Sequence, residues 1–220
     1  MRKLLFALLA GAVILATGSS ASADSTTYDL TNANIANPGP YGSVLVTLDT
    51  PTTATVTFTA DSGFLFHSNG AAAVNVNASS WTISGLTGSG PSWTSGPALS
   101  DGGAGQEDGF GSFNQTVTEF DGFKDALSTI TFTLTDTSGT WANAASVLTP
   151  NGNGGTVAAQ IGACVPTDCS LGPNNGGSFS VTGFAGNGPG STSAPEPSSM
   201  SMLGIGVLGL LGFARRRLQA

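Results

Sequence analysis

Thr53-Ala54-Thr55-Val56-Thr57-Phe58-Thr59-Ala60 decides the fold. Threonine alternates with Ala, Val, Phe and Ala at a period of two, so an extended strand here has one apolar face and one hydroxyl face. A helix would scatter the same residues around its surface. The pattern recurs at Thr129-Ile130-Thr131-Phe132-Thr133-Leu134-Thr135, where Ile130, Phe132 and Leu134 oppose four threonines. Both segments combine β-branched residues with half-burial, the setting in which strands are favoured.

Working outward, shorter stretches of the same character lie at 44–48, 74–78, 81–83, 116–120, 157–161 and 179–184. Clusters of Gly, Asn, Pro and Ser separate them, with Asn69-Gly70 and Asn151-Gly152 the clearest turns. Eight or nine short strands with one-sided alternation predict an all-β domain over residues 24–185, an antiparallel β-sandwich of Ig-like or jelly-roll type. Phe120, Phe123 and Leu127 have the spacing of one helical turn. Residues 85–111 hold nine glycines and few apolar residues, which predicts a long surface loop. Residues 186–194 read as a Gly/Ser/Pro linker. No fixed repeat period is present, so a β-solenoid is excluded.

The charge is unevenly distributed. Of the six basic residues, Arg2, Lys3, Arg215, Arg216 and Arg217 sit at the ends, leaving Lys124 alone against twelve carboxylates in residues 24–194. Nucleic-acid binding through a basic patch is therefore excluded, because no cations are there to displace counterions from phosphates. Arg2 and Lys3 precede an apolar run of about 13 residues, too short to span a bilayer, and Ala21-Ser22-Ala23 supplies small residues for cleavage before Asp24. Residues 1–23 are thus expected to be a secretory signal peptide, read by the Sec translocon.

The C-terminal end has three parts. Pro195-Glu196-Pro197 comes first. A transmembrane helix is expected over about 199–214, and Arg215-Arg216-Arg217 then acts as a stop-transfer cluster. The apolar stretch of about 15 residues gives ~22 Å of helix against a hydrocarbon core of ~30 Å, so it is a weak permanent anchor. In motif, apolar helix and arginine cluster, residues 195–217 resemble the PEP-CTERM protein-sorting domain of exported bacterial proteins. The resemblance implies recognition and processing by an exosortase near Pro195, Glu196 and Pro197. It also implies a Gram-negative host that makes exopolysaccharide, an inner-membrane intermediate, and delivery to the cell surface, the extracellular matrix or a biofilm. It specifies a route and leaves the activity of residues 24–185 open.

Several residues are candidates for chemistry. Cys164 and Cys169, four residues apart with Pro166 between, are expected to form a structural disulfide in an exported protein. The acidic run Asp101-Gly102-Gly103-Ala104-Gly105-Gln106-Glu107-Asp108-Gly109 offers hard oxygen ligands to calcium, with Asp121 or Asp125 in reach, although a solvated acidic loop is the stronger reading. His67, the single histidine, is the one available base for a serine triad, yet no G-x-S-x-G motif accompanies it, and a strand-end histidine is expected. Glu119 and Asp121 share a strand face and could serve a hydrolase. Trp81, Trp93 and Trp141 could stack on sugars, with Trp81 expected in the core. The outward threonines suit an ice-binding or glycan-binding surface, but two such strands alone point to ordinary solvation.

The sequence-level expectation is a non-enzymatic exported protein without a resident cofactor, structural or adhesive in an exopolysaccharide matrix. A glycan-binding or ice-binding module is the alternative, and a secreted polysaccharide hydrolase the third.

Overall fold

The two threonine-alternating segments pair with each other. In the computed structural model, which describes residues 24–91, 99–119, 126–165, 167–170 and 177–188, they are β4 (Thr53–Ala60) and β10 (Thr129–Asp136). They run antiparallel at the centre of a five-stranded sheet. On one side lie β3 (Gly42–Thr50) and β1 (Asp24–Leu30), and on the other β7 (Trp81–Ser89), in the order β1-β3-β4-β10-β7. A second antiparallel sheet has the order β2-β12-β11-β6-β9-β8. Its strands are β2 (Asn32–Ala33), β6 (Ala72–Val74), β8 (Leu99–Glu107), β9 (Gly111–Glu119), β11 (Val157–Val165) and β12 (Ser178–Gly186), and β5 (Phe64–Phe66) also pairs with β11. The domain is an all-β sandwich, as the alternation predicts.

The apolar faces meet between the sheets. Val44, Val46, Ala54, Val56, Phe58, Ile130, Phe132 and Leu134 from the first sheet pack on Val74, Val117, Val157, Ala159 and Ile161 from the second, in one buried cluster. Phe58 stacks on Phe132 and meets Phe66 edge-on, with ring centroids 6.3 and 6.0 Å apart. Each such side chain contributes roughly 1.5–3 kcal/mol on burial, which makes this layer the main source of stability.

Polar residues close the ends. Thr50 Oγ1 accepts the backbone N–H of Thr52 and Thr53 in the β3–β4 turn. The Asp136 carboxylate accepts Ser138 N, Gly139 N and Ser138 Oγ, each at 2.8 Å, and these donors hold its pKa below the usual carboxylate value. β1 starts at Asp24, the residue after the expected signal-peptide cut, and Asp24 Oδ2 accepts the N–H of Ala144 at 2.7 Å in the 3₁₀ turn Ala144–Ser146.

Four expectations change. Twelve strands are present among the described residues, more than the eight or nine expected. Residues 85–111 are not one loop: β7 and β8 occupy most of them. Leu127 belongs to no helical turn, since its N–H and C=O pair with Phe66 at 2.8 Å each; Phe120 and Phe123 lie outside the described residues. Finally, residues 186–188 belong to the domain and not to the linker, because Asn187 Oδ1 accepts Thr156 N and Val157 N, and Gly188 O accepts from Asn32 Nδ2. The expected signal peptide and C-terminal helix lie outside the described residues; among those described, no helix is long and apolar enough to cross a membrane.

One departure from a plain sandwich positions the polar residues discussed below. The β8–β9 ladder slips register twice, between Asp101 and Gly103 and between Gly103 and Gly105. Bulges bend a hairpin, and this one reaches back across its own sheet. Asn34 Nδ2 donates to Asp108 O, and Asn151 Nδ2 donates to Phe110 O and Ser112 O. Phe110 and Phe113 pack there against Ala73, Ala158 and Phe184. Ala73 and Ala158 alternate along their strands with core residues Val74 and Val157, so the hairpin tip covers the face turned away from the first sheet.

Candidate functional sites: a hydroxyl face and a buried polar bulge

The outer face of the first sheet is a hydroxyl array. Thr59, Thr57, Thr55 and Thr53 stand directly opposite Thr129, Thr131, Thr133 and Thr135. On the far side of β10 the partners are Ser89, Thr87, Ser84 and Thr82, and on β3 they include Ser43 and Thr47, which continue to Ser25 on β1. The rows are linked: Thr57 Oγ1 lies 3.2 Å from Thr131 Oγ1, and Ser89 Oγ lies 2.6 Å from Thr129 Oγ1. Ideal strand geometry spaces such hydroxyls by ~4.8 Å across strands and ~6.8 Å along them. Asp29, Asp49 and the half-exposed Leu45 interrupt the face towards β1 and β3, where Asp49 Oδ2 accepts from Thr55 Oγ1. The two threonine strands, about 75 residues apart in sequence, are therefore the centre of a five-stranded surface.

The second site is a bulge. β5 and β6 both pair with the same edge of β11, but residues 67–71 loop out between them opposite Ala159 and Gln160. Two hydrogen bonds close this excursion, His67 N to Gln160 O and Gln160 N to Gly70 O. Ser68 takes φ +61°, a left-handed conformation that costs a non-glycine residue about 1–2 kcal/mol, and Gly70 takes φ +78°. Buried polar side chains gather round it. His67 is fully buried, stacks on Phe179 at 5.0 Å, and places Nδ1 2.8 Å from Ser68 Oγ. Burial lowers its pKa to about 4. Glu119 is 1 % exposed and its Oε2 accepts the Ser68 N–H, while Ser68 O accepts Glu119 N. Glu107 reaches the bulge from the bent hairpin, is 2 % exposed, and has its pKa pushed up to about 8 by burial.

The sequence candidates map onto these sites unevenly. The acidic run 101–109 is a strand and a turn, and its carboxylates diverge. Asp101 Oδ1 accepts from Gly103 N and Gln115 Nε2, on the side where Gln115 also accepts from Trp81 Nε1, whereas Glu107 turns towards Gly70. Among the described residues no three acidic, His or Cys side chains are grouped to hold a metal ion, and Asp121 and Asp125 lie outside them. His67 is at a strand end as expected, yet it is enclosed; an imidazole with a pKa near 4 is a poor base for Ser68 at neutral pH. Glu119 is buried against Ser68, so it does not present a carboxylate to solvent. Trp81 packs on the core, as expected, and Trp141 is 3 % exposed with Nε1 donating to Asn77 O; Trp93 lies outside the described residues. Trp141 is therefore enclosed, whereas Trp81 remains partly exposed. Cys164 and Cys169 are joined by a disulfide across a Cα–Cα distance of 5.3 Å, packed against Leu65, Ala126 and Phe179.

The sequence reading missed Ser68, and it named Glu107 only within an acidic run expected to be solvated, not as a buried group. Glu107 sits in a glycine-rich acidic run, a composition that predicts solvation. The one available signal was Asn69-Gly70, whose turn here interrupts a strand.

The tail completes the picture. Residues 193–217 match the PEP-CTERM protein-sorting motif, a span that contains Pro195, Glu196, Pro197 and Arg215, Arg216 and Arg217, all outside the described residues. The chain is thus an exported protein of the exosortase-sorted class, a β-sandwich carried to the cell surface by its tail. No curated protein and no solved structure matches it.

Proposed function

We propose that the domain is a non-enzymatic adhesive component of a Gram-negative exopolysaccharide matrix or biofilm, and that it contacts neutral polysaccharide through the hydroxyl face of the first sheet. The observation that carries this reading is the in-register threonine ladder of β4 and β10, extended by serine and threonine on β7, β3 and β1. A regular array of hydroxyls that donate and accept matches a polymer whose surface is itself a repeat of hydroxyls. Weak bonds summed along a chain give adhesion without a deep pocket. The acidic charge of residues 24–194 favours neutral polymers over uronic-acid ones.

Co-sedimentation of the secreted protein with neutral and anionic polysaccharides tests it. Retention by a neutral polymer, abolished by Thr57→Lys with Thr131→Lys while circular dichroism is unchanged, is the expected result. Equal retention of the variant would overturn the assignment to this face. The same ladder supports a second reading, an ice-binding surface, because the hydroxyls are regularly spaced on a rigid sheet. Inhibition of ice recrystallisation, lost in the same variant, would favour that reading over the first.

A further inference from the structure

We propose that the cavity in the crook of the bent β8–β9 hairpin is a binding site for a single neutral sugar unit, held by Glu107, Thr116, Thr118 and Ser100. This site is separate from the hydroxyl face and does not depend on it. The cavity has a volume of about 380 Å³ and lies between the bulge residues Asn69 and Gly70, the strand β8, and Thr116 and Thr118 of β9. That volume is at the small end of ligand sites, of the order suited to one or two sugar rings.

Glycines let the backbone lie close against the side chains that line the cavity. A Cβ at Gly102 would collide with Thr116 Oγ1 and come within 2.7 Å of Thr118 Oγ1; one at Gly105 would lie 2.7 Å from Thr116 Cγ2; one at Gly70 would strike the Glu107 carboxyl. The glycine-rich stretch that resembles a solvated loop is therefore the wall of a cradle. Within it, Glu107 Oε2 is buried and has no hydrogen-bond partner among the described residues. An unmade bond at a buried carboxyl is costly, and a ligand hydroxyl entering beside Gly70 would make it.

The chemistry of the lining selects the ligand. Hydroxyls, carboxamides and backbone groups both donate and accept, as sugar hydroxyls require. The other carboxylate in the wall, Asp101, accepts from Gly103 N and Gln115 Nε2 through Oδ1, which fixes its orientation. The Asp101 carboxylate would repel an anionic ligand. Burial keeps the Glu107 carboxyl protonated at neutral pH, which lets it donate as well as accept.

Ligand-observed NMR on the secreted protein, titrated with glucose, galactose, mannose and N-acetylglucosamine, tests the site. Saturable binding of at least one sugar is expected, weakened about tenfold by Thr118→Val or by Ser100→Ala. The face variant Thr57→Lys should bind as the parent does. Affinity should fall as pH rises past about 8, and Glu107→Gln should bind at neutral pH without that fall. No saturable binding by the parent, undiminished binding by folded Thr118→Val and Ser100→Ala proteins, or loss of binding in Thr57→Lys would each overturn the proposal. Persistence of the pH dependence in Glu107→Gln would remove Glu107 from it.

Discussion

The Glu107 carboxyl occupies the space that a side chain at Gly70 would fill: a Cβ there would collide with both carboxyl oxygens. Two residues distant in sequence thus require each other, one as an ionisable group removed from water, the other as the absence of a side chain. Gly70→Ala combines that collision with a φ of +78°, so it should destabilise the protein by about 2 to 3 kcal/mol in denaturant unfolding. Adding Glu107→Ala should recover part of the loss, because the collision is then removed and the backbone cost alone remains.

Stability should depend on pH through two opposed groups. The Glu107 pKa is raised from 4.5 to about 8 in the folded state, so its contribution is complete below pH 4.5 and is lost as pH rises to about 8. The His67 pKa is lowered from 6.5 to about 4, so its contribution is complete above pH 6.5 and is lost as pH falls to about 4. Between pH 4.5 and 6.5 the two slopes, each at most about 1.4 kcal/mol per pH unit, cancel. Unfolding free energy measured against pH should therefore be level across that interval and fall from 6.5 to 8. Glu107→Gln should make the protein level from 6.5 to 8 and rising from 4.5 to 6.5.

The bent hairpin should open independently of the sandwich. Phe110 anchors its tip on Ala73 and Ala158, outside the main core. In Phe110→Ala, amide hydrogen exchange should accelerate in residues 105–113, while β4 and β10 keep the protection of global unfolding. Equal acceleration in β4 would show the tip to be part of one cooperative unit.

The disulfide should contribute modestly. Cys164 and Cys169 close a loop of sequence separation 5, for which chain entropy gives about 2 kcal/mol. Replacing both with serine should lower stability by about that amount in urea unfolding and leave the fold intact, and the secreted parent should show no reactive thiol.

Sorting should depend on the tail independently of the domain. Replacing Pro195 and Pro197 with alanine should leave the protein in the membrane fraction at its unprocessed size, as read by immunoblot of cell fractions.

How much could be read from the sequence follows from where each segment buries its residues. Thr53–Ala60 and Thr129–Asp136 declare themselves because each has one face in the core and one in solvent. β8 does not, since its glycines stay partly or wholly exposed and only Glu107 is buried, by a bend that two bulges create and no local periodicity encodes. β5 and β6 are three residues each, too short to show a period, and their common identity as one interrupted strand depends on β11, about 90 residues onward. The hydroxyl face lay half in view. Its threonines were visible, but the pairing that sets Thr57 against Thr131 is a long-range property of the sheet.

The strand order has a consequence for a protein sorted to the cell surface. The outermost strands of both sheets are poor templates for another chain. β2 is two residues long, β8 is bulged twice, β1 carries Asp24 and Asp29, and β7 holds Gly85 and Gly88 with a register slip against β10. Short, charged and irregular margins are how β proteins resist edge-to-edge fibre growth. The molecule can crowd at a cell surface as discrete units, and any network it joins is then built by what it holds between copies and not by strands pairing from one copy to the next.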